Sequence, residues 1–502
     1  MRCAAIAIAL LPFVIAELVL RRLEPNSVQS VDDDPLVDLH QLRPLFVLNE
    51  QKGRWEIPPQ RANYFAFDSF VADKPPGLKR IFVLGGSTVQ GHPYSIETAF
   101  PTWLKLRLQA ANPDTPFEVV NCGGVSYASY RVARLLDEVL QHQPDAIVLY
   151  TGHNEFLEDR EYREVKQLGS IRYWISRIAS PLRLVKWIQN QLPHSDSSAT
   201  VLASEVDTRL DHVGGLDRYQ RDPDWKSGVE QHFDQTLRRM IRTADSAGVP
   251  LVLCVPACDL VTTPPFKVVP SLQPGTSAAA EFDEAWRCAT DGSLTIEQRL
   301  QSCQQCLKLD PLHAGAAYVA GRLSFELGDS QQASPLLVAA RDLDVCPLRA
   351  TSPIVDSVID ASRQFDIPLV QTELLLDQRD SQGRHVSDGI ADPEYFVDHV
   401  HPSVAGHQQI AQAVFGKLAE LGWYPQTAEA ESRYQQLAKQ HLDSLGEAYY
   451  ARGKQRLEGL RRWASGRSGS KLSIDELLRR DELEGPGQSE SSTATTQSPE
   501  SQ

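Results

Sequence analysis

Basic residues are in short supply: 50 Lys and Arg stand against 65 Asp and Glu, leaving a formal net charge of −15. A sequence-independent grip on nucleic acid needs cations clustered against phosphate, so the balance argues against that class of partner. Paired Cys-x-x-C motifs are missing as well. Cys303 and Cys306 form one in helical surroundings, and no second pair follows at zinc-ribbon spacing. Cys254 and Cys258 flank Val255-Pro256-Ala257 at the end of an apolar run. The cysteines therefore read as packing thiols, since free Cys behaves as a small buried hydrophobe. No metal and no cofactor are expected. What remains is 42% hydrophobic and 23% charged, the balance of a globular protein, and 502 residues leave room for one large domain, a smaller one and tails.

The first twenty-two residues differ from the rest. After Met1-Arg2 comes CAAIAIALLPFVIAELVL, apolar except for Glu17, and then Arg21-Arg22. Eighteen residues at about 1.5 Å rise span roughly 27 Å, enough for a hydrocarbon core with little tilt. The stretch is long for a signal-peptide core and no clean small-x-small site precedes Arg21, so residues 1–22 read as an uncleaved anchor that contacts membrane through 3–20. Basic residues flank both ends and leave the orientation open. The expectation is an anchored protein whose main domain faces outward, extracytoplasmic.

Residues 23–78 are punctuated by Pro and Asp and read as a lead-in that partly docks on the domain. From 79 the pattern becomes alternating strands and helices. KRIFVLGG (79–86), FEVVNCGG (117–124), DAIVLYTGHNE (145–155), VPLVLCVP (249–256) and IPLVQTE (367–373) are strand candidates. Helical stretches near 98–111, 128–142, 227–247, 354–364 and 404–421 separate or follow them. That alternation predicts an α/β fold: a three-layer α/β/α sandwich around a parallel five-stranded sheet. The α/β domain is thus split into 79–256 and 351–424.

Three segments break the rhythm. Residues 156–226 hold IRYWISRIASPLRLVKWIQNQL, an amphipathic, basic and aromatic stretch that reads as a lid whose apolar face packs on the domain, or else as a membrane-interface helix. Residues 257–350 resemble one tetratricopeptide repeat preceded by the second helix of another: Gly321, Ala333 and Ala340 fall where paired helices cross, with Gly328-Asp329 at the turn. So few units cannot stand alone and should rest on the α/β domain, with a protein partner as a further option. Residues 425–480 read as a charged helical extension, and 481–502 as a low-complexity tail that cannot bury a core.

In an open α/β sheet, ligands sit beyond the carboxyl ends of the strands. There the sequence places Ser87 after the first strand, the small residues of NCGGVSYAS after the second, Asn154 in GHNE after the third, and DHVH (398–401) after the fifth. This is an acyl-transfer inventory. A serine hydroxyl needs a base to take its proton, and a His oriented by a carboxylate is the usual one. Ser87 is the candidate nucleophile, His401 the base and Asp398 its orienter. Asn154 and backbone N–H groups at Ser87 and in 123–126 are candidate oxyanion donors. Pro402-Ser403 is placed at the first turn of the following helix. His399 and His407 read as structural or surface residues, since one base suffices.

These blocks resemble, in order, those of the SGNH or GDSL-type hydrolases: GGS (85–87), NCGGVS (121–126), GHNE (152–155) and DHVH (398–401). The resemblance covers about 79–256 and 351–422. It implies the same sandwich fold, a Ser87–His401–Asp398 triad, and an oxyanion hole from Ser87, Asn154 and a backbone donor at Gly124 or Ser126. Gly86 and Glu155 replace Asp residues of the family pattern, and Ser126 stands where many members carry the donor Gly. The tetratricopeptide-like insert is similar to that of a membrane-linked subgroup. The expected activity is a serine esterase acting on an ester, or on an acylated carbohydrate or lipid. The rivals are a carbohydrate O-acyltransferase using the same triad, and a non-catalytic scaffold.

Overall fold

A computed structural model describes residues 34, 36–39, 43–160, 200–377, 388–422 and 427–467. The expected anchor (1–22), the amphipathic part of the lid-like segment and the low-complexity tail lie outside these residues. Among the described residues no helix is long and apolar enough to cross a membrane.

The lead-in is more ordered than its punctuation suggested. It forms β1 (Val37–Leu39), then β2 (Val47–Asn49), β3 (Arg54–Glu56) and β4 (Ser69–Val71). The last three make a small antiparallel sheet. Phe46 and Phe70 anchor this sheet edge-to-face on each other at 4.9 Å, and Phe70 meets Phe82 of the main domain at 5.3 Å. Glu138 fixes the approach by accepting the Leu45 and Phe46 N–H groups, each at 2.8 Å.

The main domain follows as β5 (Lys79–Gly85), α1 (Ser87–Gln90), α2 (Phe100–Ala111), β6 (Phe117–Gly123), α3 (Ser129–Leu140) and β7 (Ala146–Tyr150). After β8 (Thr200–Leu202), which pairs with β1, come α4 (Pro223–Ser246) and β9 (Leu251–Cys254). The insert then contributes α5 (Ser277–Ala289), α6 (Ile296–Leu309), α7 (Ala314–Glu326) and α8 (Ser330–Leu343). The chain returns through α9 (Ser352–Phe365), β10 (Leu369–Val370), α10 (Thr372–Leu375) and α11 (Val404–Glu420), and continues into α12 (Ala428–Ser444) and α13 (Glu447–Arg467).

The five expected strands form one sheet in the order β6-β5-β7-β9-β10, every neighbouring pair parallel. In order of appearance this is 2-1-3-4-5, the doubly wound arrangement whose switch point lies between β5 and β7. Side chains alternate along each strand. Phe82 and Leu84 pack with α3, α4 and α9, while Ile81 and Val83 pack with α2, α11 and α12. Cover on both faces explains why β5 and β7 read as unbroken apolar runs. The expected strands are longer than the observed ones, because the polar ends at 151–155 and 371–373 turn away from the sheet.

The insert holds one helix more than expected. α5 precedes the three that the repeat pattern anticipated, and successive helices pack on each other. Thr295 and Gln298 start α6 with reciprocal side-chain-to-backbone bonds. Gly321 is required where α7 crosses α8, since a Cβ there would fall 2.7 Å from Leu337 Cγ. Cys303 and Cys306 are buried in this layer. Burial pushes both thiols up to about 12, away from reactive thiolates.

Candidate active site

β5 ends at Gly85, and α1 starts at Ser87 after a single linking glycine. Val89 and Gln90 donate their N–H groups to the Gly86 carbonyl, so the α1 turn closes on the linker itself. The Ser87 N–H makes no backbone hydrogen bond among the described residues. It stays available at the carboxyl edge of the sheet. The far side of α1 is held by Asn121, whose Nδ2 donates to the Val89 carbonyl at 2.7 Å. β6 passes so close beneath that a Cβ on Gly123 would fall 2.1 Å from the Gln90 nitrogen. The first glycine of NCGGVS is therefore needed for close approach, and its Asn for holding α1.

The 124–126 turn separates the two alternatives for the backbone donor. Gly124 cannot serve: its N–H donates to the Gly85 carbonyl at 3.0 Å, extending the β5–β6 ladder. Ser126 has φ +62° and its N–H makes no backbone hydrogen bond among the described residues. A left-handed backbone is what glycine adopts most easily, which gives a physical reason for the family pattern to carry Gly at this position. The lead-in holds the turn from outside, because Tyr64 accepts the Val125 N–H at 2.8 Å and Asp68 accepts the Asn121 N–H at 2.8 Å.

Asn154 follows β7, and its Nδ2 donates to the Tyr127 carbonyl at 3.1 Å. The amide lies against Gly86, where a Cβ would fall 2.7 Å from Nδ2. An amide nitrogen carries two hydrogens, so one remains for a ligand beside Ser87. Its neighbour Glu155 is fully buried and accepts both the Ser129 N–H at 2.7 Å and the Ser129 hydroxyl at 2.9 Å. A carboxylate at the start of α3 suits the helix dipole, so this position is structural. His153, between Gly152 and Asn154, was not singled out by the sequence. Its Nδ1 accepts the Ala350 N–H at 3.2 Å, and burial pushes it down to about 3.

The 397–407 stretch folds around its own aspartate. Asp398 Oδ1 accepts the N–H groups of Val400 (3.0 Å) and His401 (2.9 Å), an Asx-type turn. The same carboxylate receives the His401 ring through Nδ1, 2.7 Å from Oδ2 and 2.9 Å from Oδ1. His401 Nε2 lies 2.8 Å from Ser87 Oγ, although 314 positions separate the two residues. Burial alone would raise Asp398, but the His401 and His399 charges and these hydrogen bonds outweigh it and hold the carboxyl well below its ordinary range. With Nδ1–H donating to the carboxylate, Nε2 is left as the acceptor facing the serine.

Ser403 caps α11 by accepting the Gly406 N–H at 3.2 Å, which places Pro402 one residue before the cap and outside the first turn. His407, one turn into α11, accepts the Phe100 N–H at 3.2 Å and so satisfies an orphan donor at the start of α2. Burial pushes it down to about 3. His399 lies 3.6 Å from the Asp398 carboxylate through Nδ1 and is pushed down to about 4 by burial. His92, on the loop after α1, carries no sequence signal, yet its ring lies 5.1 Å from that of His401.

No protein-family model and no curated protein matches the chain. Among solved structures it is similar to an acetylxylan esterase from Geobacillus stearothermophilus, at 13% identity and a TM-score of 0.30, covering 68% of this chain and 94% of that one. It is also similar to a lipase/acylhydrolase from Enterococcus faecalis, at 12% identity and a TM-score of 0.31, covering 70% of this chain and 100% of that one.

Proposed function

We propose that the chain is a serine esterase of the SGNH type that hydrolyses carboxylic esters through an acyl-enzyme. The observation that carries this reading is the unbroken relay from the Asp398 carboxylate through His401 to Ser87 Oγ, with contacts of 2.7 and 2.8 Å. His401 Nε2 takes the Ser87 proton as Oγ attacks the ester carbonyl, and Asp398 stabilises the imidazolium that results. The oxyanion of the tetrahedral intermediate is met by the Ser87 and Ser126 N–H groups and by Asn154 Nδ2. His401 then protonates the departing alcohol. Water, deprotonated by the same imidazole, releases the acid and restores Ser87.

The test is labelling by a fluorophosphonate probe together with turnover of short- and long-chain acyl esters and acetylated sugars. Labelling that is lost in Ser87→Ala supports the reading, and absence of labelling in the wild type refutes it in favour of a scaffold. Acylated glycan in place of free acid would instead identify an acyltransferase on the same triad. The apolar segment at 3–20 supports, on sequence alone, a membrane-anchored location for this activity.

A further inference from the structure

The loop that carries Asp398 and His401 does not rest on the α/β sandwich alone. Val400, between His399 and His401, is 3% exposed and belongs to the hydrophobic core of the insert, with Tyr318 and Leu323 of α7 and Leu337 of α8. Its backbone faces the chemistry. The Val400 N–H donates to Asp398 Oδ1 at 3.0 Å, and its carbonyl accepts the Thr88 hydroxyl of the nucleophile helix at 3.4 Å. One residue thus has its side chain in the insert, its N–H on the triad carboxylate and its carbonyl on α1.

A second tie runs in parallel. The His399 carbonyl accepts the N–H of Asp259, at the start of the insert, at 3.0 Å. Asp259 is itself fixed by Arg349, at the insert's other end, whose Nη1 donates to its carbonyl at 3.0 Å and to that of Thr263 at 2.8 Å. The ring of Phe266, also from the insert, meets the His399 ring edge-on at 5.1 Å. The start of the insert therefore rests on the 398–401 loop and is braced there by the insert's other end.

We infer that the helical insert is the platform of the catalytic loop, and that Val400 is a positioning residue through which the insert's core sets the Asp398–His401–Ser87 geometry. This rests on the esterase reading. Packed cores resist small deformation, so a gap under Val400 lets the loop settle inward, and a misplacement near 1 Å costs on the order of 10²-fold in rate. The substrate does not touch Val400, so the loss falls on kcat and leaves KM nearly unchanged.

The experiment compares the full chain with Val400→Ala and Phe266→Ala, and with Glu284→Ala on the insert's exposed face as control. Kinetics are normalised to sites titrated by a fluorophosphonate, so that unfolded molecules do not count. Val400→Ala is expected to lose tenfold or more in kcat per titrated site, Phe266→Ala less, and Glu284→Ala nothing, with KM within about twofold throughout. The downfield proton resonance of the His401–Asp398 hydrogen bond reads the same geometry without substrate and should shift or broaden in the first two variants only. If Val400→Ala does not fold, Phe266→Ala decides. Wild-type kcat and an unmoved resonance in the folded variants overturn the inference. A wild type that resists the probe, while Val400→Ala and Phe266→Ala still shift or broaden the resonance, refutes the esterase reading and leaves the platform supported.

Discussion

Replacing Gly86 by alanine should disable the site while leaving the fold intact. Gly86 has φ −89° and ψ −155°, extended values open to any residue, so the backbone offers no resistance. The added Cβ would lie 3.6 Å from the Tyr127 carbonyl, an ordinary contact, but 2.7 Å from the Asn154 amide nitrogen, where contact begins near 3.4 Å. The amide must yield by about 0.7 Å, the difference between those two values. It is the far end of a side chain and can do so. The stability balance is then small: weakening the Asn154–Tyr127 bond costs about 1 kcal/mol, and an alanine gains about 0.4–1 kcal/mol by restricting the unfolded chain. The catalytic balance is not small, because losing one oxyanion donor costs about 10²–10³ in kcat. The assay is kcat and KM on a short-chain aryl ester, with thermal unfolding alongside and Asn154→Ala measured both alone and combined with Gly86→Ala. If the alanine acts through the amide, the double variant is no worse than Asn154→Ala. Full activity in Gly86→Ala, or additive losses in the double variant, would refute the argument.

Other outcomes follow from the same contacts. His407→Gln should flatten the pH dependence of stability. The buried imidazole is depressed to about 3, so between pH 6.5 and 3 the unfolded chain binds a proton that the folded one refuses, and stability falls on acidification by about 1.4 kcal/mol per pH unit for this group. Urea unfolding at several pH values, wild type against variant, reads that slope, and identical slopes would show that His407 is not buried neutral. Glu155→Ala strands the Ser129 N–H and hydroxyl inside the protein and should cost about 2–4 kcal/mol by denaturant titration; a loss under 1 kcal/mol would contradict its place at the start of α3.

The sheet was legible because covering both faces forces long apolar runs, and β5, β6 and β7 have no other reading. The triad candidates were legible for a related reason: a doubly wound sheet puts every strand's carboxyl end on one edge, so Ser87, Asn154 and Asp398–His401 could be gathered from sequence order. The lead-in sheet was not legible, since β2, β3 and β4 have three residues each, too few to show alternation. The choice between Gly124 and Ser126 turns on which N–H the β5–β6 ladder consumes, a tertiary fact with no local signature. The same holds for His407, whose use is to accept a backbone N–H from α2, and for Val400, which looks like any loop valine until the insert's core is drawn around it. The helix α5 escaped because the repeat-like spacing was followed back only as far as α6, with which α5 forms a hairpin.

The order in which the parts leave the ribosome has its own consequence. Ser87 emerges 314 positions before His401. At about 5–20 residues per second, synthesis leaves the hydroxyl without its base for roughly 15–60 s. Throughout that interval the nascent polypeptide carries an inert serine, whatever esters lie nearby. Any product truncated before residue 401 stays equally inert, so the proposed activity waits for the loop that carries Asp398 and His401.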